Sequence, residues 1–141
     1  MKRPLTHPII LTTLPHFLSI GLVANCISPT YPGIYIGYSA VIGCSSVLSV
    51  LWHRQHEPYS ILFWLDYAFA GIWTIYDCIL AGLLKSSYIL AIVCILNIIT
   101  IILNQLVDNL ARKEIVQYDT GHSMWHLISV SKTILVAYLV R

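Results

Sequence analysis

Three histidines, a serine and an aspartate sit in otherwise apolar stretches of this chain, and their types and spacing suit a zinc site. The serine and the first histidine lie in Ser49-Val50-Leu51-Trp52-His53, and the acid lies in Trp64-Leu65-Asp66-Tyr67. The other two histidines lie in Gly121-His122-Ser123-Met124-Trp125-His126. Ser49 and His53 are i and i+4, as are His122 and His126, so each pair shares a helix face, and Ser46 joins the first. Three imidazoles with one position left open are a catalytic zinc arrangement. Zinc lowers the pKa of a water to about 7, which makes a nucleophile available at neutral pH. His53, His122 and His126 are then the ligands. Asp66 is the general base that takes the water's proton and returns it to the leaving group. Ser49 donates to the oxyanion or positions the water. HxxxH alone is weak, because any helical histidine pair satisfies it. The ordered set SxxxH, Asp, HxxxH is far more specific.

The elements that must position these groups are membrane helices. The chain has 141 residues, 57% hydrophobic and 10% charged, with mean hydropathy +0.77. Soluble domains carry roughly 25% charged residues. A span of the hydrocarbon core needs roughly 20 mostly apolar residues. Five segments meet this, at about 8–26, 33–53, 60–80, 87–107 and 121–140, the third extending to Leu84 at most. The expectation is an all-α, single-domain polytopic bundle with one longer polar loop from Asp108 to Thr120. Met1-Lys2-Arg3 before an apolar stretch also suits a signal peptide, but Pro15 and His16 interrupt the stretch and the region before Cys26 is a poor small-residue cleavage site.

Sidedness follows from the basic residues. Alternating helices put Lys2, Arg3, Arg54, Arg112 and Lys113 on one side, against Lys85 and Arg141 on the other. The positive-inside rule makes the first side cytoplasmic. His53, Asp66, His122 and His126 all fall toward that side, an agreement the segment boundaries did not require. Ionisable groups in a membrane helix are costly and mark function. A net charge of +2 with no basic run, zinc finger or phosphate loop excludes a nucleic-acid partner. Cys26, Cys44, Cys78 and Cys94 contain no CxxC pair and are read as packed thiols.

The motif order resembles the CREST superfamily of membrane hydrolases and receptors. That group comprises alkaline ceramidases, progestin and adipoQ receptors with hemolysin III proteins, and Per1-like lipid-remodelling enzymes. The matching pieces are Ser49 to His53, Leu65-Asp66-Tyr67 and His122-Ser123-Met124-Trp125-His126-Leu127. The resemblance implies zinc on His53, His122 and His126, with Ser49 and Asp66 completing the site. It also implies hydrolysis of a membrane lipid amide or ester, or a receptor-like or structural zinc protein without turnover. The superfamily usually has seven helices, with HxxxH on the last. Losing two helices between the aspartate and HxxxH preserves sidedness, because the number is even, but removes walls of the substrate cavity. A homodimer can replace them. A haem protein is a third class, disfavoured because HxxxH offers both imidazoles to one side of a metal.

The remaining polar residues have plainer readings. Asn97, Asn104 and Asp108 form one stripe facing the bundle interior. Asp77 shares the Asp66 face, roughly 16 Å further along the axis at 1.5 Å per residue, and pairs with Lys132 or lies near the far interface. Lys132 is expected to snorkel to the far side. His16 is expected to pack, His7 to be interfacial and His56 to be a solvated loop residue. Trp52, Trp64, Trp125 and Tyr67 are expected in an interfacial aromatic belt or lining a lipid cleft.

Overall fold

A computed structural model describes residues 2–26, 32–55, 59–84, 86–111 and 115–140. They form helices α1 (Pro8–Leu11), α2 (Pro15–Cys26), α3 (Pro32–Gln55), α4 (Ile61–Leu84), α5 (Ser87–Ala111) and α6 (Ile115–Leu139). The protein is all-α, with no strand among the described residues. Two stretches, Pro32–Gln55 and Ser87–Asn109, are long and apolar enough to cross a membrane.

Local sequence accounts for the element ends. Pro15 has no N–H, and its ring would clash with the carbonyl of Leu11 in a continuous helix. The expected first segment therefore breaks into α1 and α2 around a turn at Thr12–Leu14. Tight bonds hold that turn, Thr13 N–H to Ile10 O at 3.1 Å and Leu14 N–H to Leu11 O at 3.2 Å. Ser60 caps α4 by accepting from the Phe63 N–H at 3.3 Å, and Ser86 caps α5 by accepting from Ile89 at 3.4 Å. The third expected segment reaches Leu84.

The polar loop expected over 108–120 is largely helical. α5 runs on to Ala111 and α6 begins at Ile115, so His122 sits in the second turn of α6 and does not open it. Tertiary contacts explain the extra turns. Tyr118 is buried in a cluster with Ile9, Ile10 and Trp52, and Asp119 binds Arg3 at 2.6 Å. Polarity read as a loop is here the polar face of a packed helix. Gly121 lets α5 close on α6 beside the site, since a Cβ there would lie 3.3 Å from Val107 Cγ2.

α3 packs on α4, α4 on α5, α5 on α6, α6 on α2 and α2 on α3, which closes a ring of five helices. α1 lies across α6 and α3 at one end. The other end is filled by an apolar cluster containing Val23, Tyr38, Ile42, Leu80, Val93 and Val136. Between these ends the ring interior is polar. Ser45, Ser46, Ser49, His53, Asp66, Asp77, Asn97, His122, His126 and Lys132 are all buried. The outer faces are apolar, with Ile95, Ile98, Ile102 and Leu106 of α5 more than half exposed.

Candidate metal centre

The three histidines of the two motifs converge. His53 comes from the last turns of α3, and His122 and His126 come from one face of α6. Their exposures are 1%, 2% and 1%. One potential ligand nitrogen from each lies within 4.8 Å of the others. Ring centroids are 4.8 Å apart for His53–His122, 5.1 Å for His53–His126 and 4.7 Å for His122–His126.

The donor set fits a cation on two observations. The Nε2 atoms of His53 and His126 are 3.3 Å apart. Two Zn–N bonds of about 2.05 Å at a tetrahedral angle place their nitrogens roughly 3.3 Å apart. His122 Nδ1 is buried with no hydrogen-bond partner among the described residues, a desolvated nitrogen that a ligand would satisfy. The chemistry of three neutral imidazoles suits zinc, copper, iron or nickel better than magnesium or calcium.

Asp66 and Ser49 face the same space from α4 and α3. Both are buried, at 9% and 7% exposure, and both line a cavity of about 250 Å³ that also reaches His122 and His126. Asp66 stands outside the group of nitrogens within 4.8 Å of one another. No protein group among the described residues hydrogen-bonds its carboxylate, which shares the cavity with His122 and His126. His53, His122 and His126 are brought together, and the helices that carry the three motifs border one interior. α3 and α4 are adjacent in the ring, and α6 also touches α4.

Several residues take positions that differ from the expectations. Lys132 does not snorkel outward. It is buried and donates to Asp77 Oδ2 at 2.5 Å and to Asn97 Oδ1 at 2.8 Å. Tyr38 donates to the second Asp77 oxygen at 2.6 Å. The Asp77 carboxylate and the Asn97 amide oxygen hold the ammonium more strongly than a distant interface can. His16 packs, as expected, edge-on to Trp73 and His126, but it also lines the cavity, with Nδ1 3.1 Å from the Thr13 carbonyl. His7 is half-buried, 3.5 Å from Asp119. Trp64 points outward at 60% exposure, whereas Trp52 is buried and Trp125 and Tyr67 line the cavity. His56 lies outside the described residues.

The expected stripe on α5 does face inward. Asn97 is buried, and Asn104 and Asp108 both meet Tyr67, whose hydroxyl donates to Asp108 Oδ2 at 2.6 Å. Cys78 and Cys94 are free thiols with sulfurs 3.9 Å apart. Thr12 and Thr13 escaped the sequence reading altogether. Their hydroxyls each lie 3.2 Å from His126 Nδ1. The only available signal was Pro15, which marks the break that brings them there.

Comparison of the chain with protein-family models, with curated proteins and with solved structures finds no match.

Proposed function

We propose that this chain is a five-span integral membrane protein that holds zinc on His53, His122 and His126 and hydrolyses a lipid amide or ester. The convergence of three buried imidazoles from two helices within 4.8 Å carries the reading. The resemblance of the motifs to the CREST superfamily supplies the reaction class.

A polar interior inside apolar outer faces supports the membrane setting. Lipid-facing surfaces tolerate exposed isoleucine and leucine, while ionisable groups turn inward and pair. The basic residues of the sequence orient the site toward the cytoplasmic side. Helices α2 to α6 all contribute residues to the cavity, which supports walls drawn from one chain.

Bound zinc supplies a water of lowered pKa and polarises a carbonyl. The chain's own residues do the rest. Asp66, with no competing protein partner, takes the water's proton and delivers it to the leaving nitrogen or oxygen. Ser49, one turn before His53, donates to the developing oxyanion. The apolar walls exclude bulk water and strengthen both interactions. The substrate's acyl chain enters laterally from the bilayer between helices.

Metal analysis of purified protein, paired with His122→Ala and with turnover of a lipid amide and ester panel, tests this. One zinc per chain, lost in the variant, with zinc-dependent cleavage is expected. Zinc without any cleavage would move the protein to the receptor-like or structural class. No zinc would end the metal reading.

A further inference from the structure

We infer that Thr12 and Thr13, in the turn between α1 and α2, are positioning residues that set the tautomer of His126 and so tune the metal centre. The inference rests on the metal reading above. It concerns side chains far from all three motifs in sequence.

Hydrogen-bond bookkeeping at the turn supports it. A threonine hydroxyl has one proton and two lone pairs. Thr12 Oγ1 lies 3.0 Å from the Pro8 carbonyl and 3.2 Å from that of Ile9. Thr13 Oγ1 lies 3.0 Å from the Ile9 carbonyl. Carbonyls only accept, so both hydroxyl protons have local acceptors, the usual back-bonding of threonine in a helical turn. Each oxygen keeps a lone pair, and each is 3.2 Å from His126 Nδ1. Nδ1 thus faces two hydroxyls whose protons are engaged elsewhere, the Ile9 backbone also bonds this ring, and we place the ring proton on Nδ1. The neutral ring then has its lone pair on Nε2, the atom 3.3 Å from His53 Nε2.

This is the outer-shell arrangement that orients a metal-ligating histidine, and its loss typically costs 10- to 100-fold in metal affinity. The same turn acts on a second ring. The Thr13 carbonyl accepts from His16 Nδ1 at 3.1 Å, which leaves His16 Nε2 as an acceptor in a cavity-lining residue. Arg3 ties the segment down by its ion pair with Asp119 and by its N–H to the Arg54 carbonyl at 2.9 Å. The turn is clamped to both helices that carry the ligands.

The test is zinc affinity by chelator competition in detergent, for the parent, Thr12→Val/Thr13→Val and Thr12→Ser/Thr13→Ser. Valine keeps shape and loses the acceptors, so a packing role would be indifferent to it. The valine pair should bind zinc roughly 10- to 100-fold more weakly, and the serine pair within about threefold of the parent. Valine variants that bind within twofold of the parent overturn the inference and leave the metal reading intact. A parent that takes up no zinc overturns both. Histidine 15N shifts of the zinc-loaded parent need no variant: the signal lost in His126→Gln should report a protonated Nδ1 and a ligated Nε2. A metal on Nδ1 overturns the proposal.

Discussion

His53 and His126 are separated by 73 residues, yet their Nε2 atoms stand 3.3 Å apart in the interior of the helix ring. Without a cation the two nitrogens can share an N–H···N hydrogen bond; with both lone pairs turned inward they can hold one cation and cross-link α3 to α6. If they hold zinc, removing it should loosen the bundle as well as stop any reaction. At free zinc of 100 times Kd, a single native-state site contributes about 2.7 kcal/mol. Thermal unfolding in detergent should shift down on adding a strong chelator and recover with zinc. His53→Ala and His126→Ala should show no shift. A chelator-sensitive melting curve in both variants would place the metal elsewhere.

The proposed division of labour between ligands and catalytic groups is separable. Asp66→Asn should retain one zinc per chain and lose roughly 100-fold or more in turnover, because general acid–base catalysis contributes on that scale. Ser49→Ala should also retain zinc, with kcat reduced about 100-fold if the hydroxyl donates to an oxyanion. Wild-type rates in Asp66→Asn would remove it from the chemistry.

The Asp77–Lys132 pair makes a stability prediction independent of zinc. Asp77 has no measurable exposure, and Tyr38 and Lys132 occupy its two oxygens. Asp77→Ala leaves the ammonium buried without its counter-ion, at a cost of about 3–5 kcal/mol. Lys132→Met in the same chain should return much of that loss, because the uncompensated charge is gone. The comparison is an unfolding free energy for the two singles and the double. Additive losses in the double would show that the two residues are not coupled.

Five spans require Gln55 and Ser86, at opposite ends of α4, to lie on opposite sides of a membrane. With the natural cysteines replaced, a membrane-impermeant maleimide should label Gln55→Cys from the cytoplasmic side. It should label Ser86→Cys from the other. Labelling of both from one side of sealed vesicles would show that α4 does not cross.

Much of this was legible in the residues. Helical class follows from long apolar stretches, and the two i, i+4 pairs predicted shared faces that the helices display. Convergence of His53 with His122 and His126 was inferable because sidedness limits which ends can meet. The α1–α2 break was signalled by Pro15, although a hydropathy reading runs through it. The Asp108–Thr120 stretch misled, because polarity marks either a loop or the polar face of a helix. Only partners such as Arg3 and Trp52 distinguish them.

By itself the chain's order of residues determined the element type, the candidate ligands and their common end, since periodicity and hydropathy are local quantities. Tertiary structure alone decided which hydroxyls surround His126, that Lys132 turns inward to Asp77, and that Asp66 lines the cavity while standing outside the three-histidine group. Those outcomes depend on distances between groups remote in sequence. At a buried site a shift of about an ångström separates a hydrogen bond from an unsatisfied polar atom, and no local pattern encodes that difference.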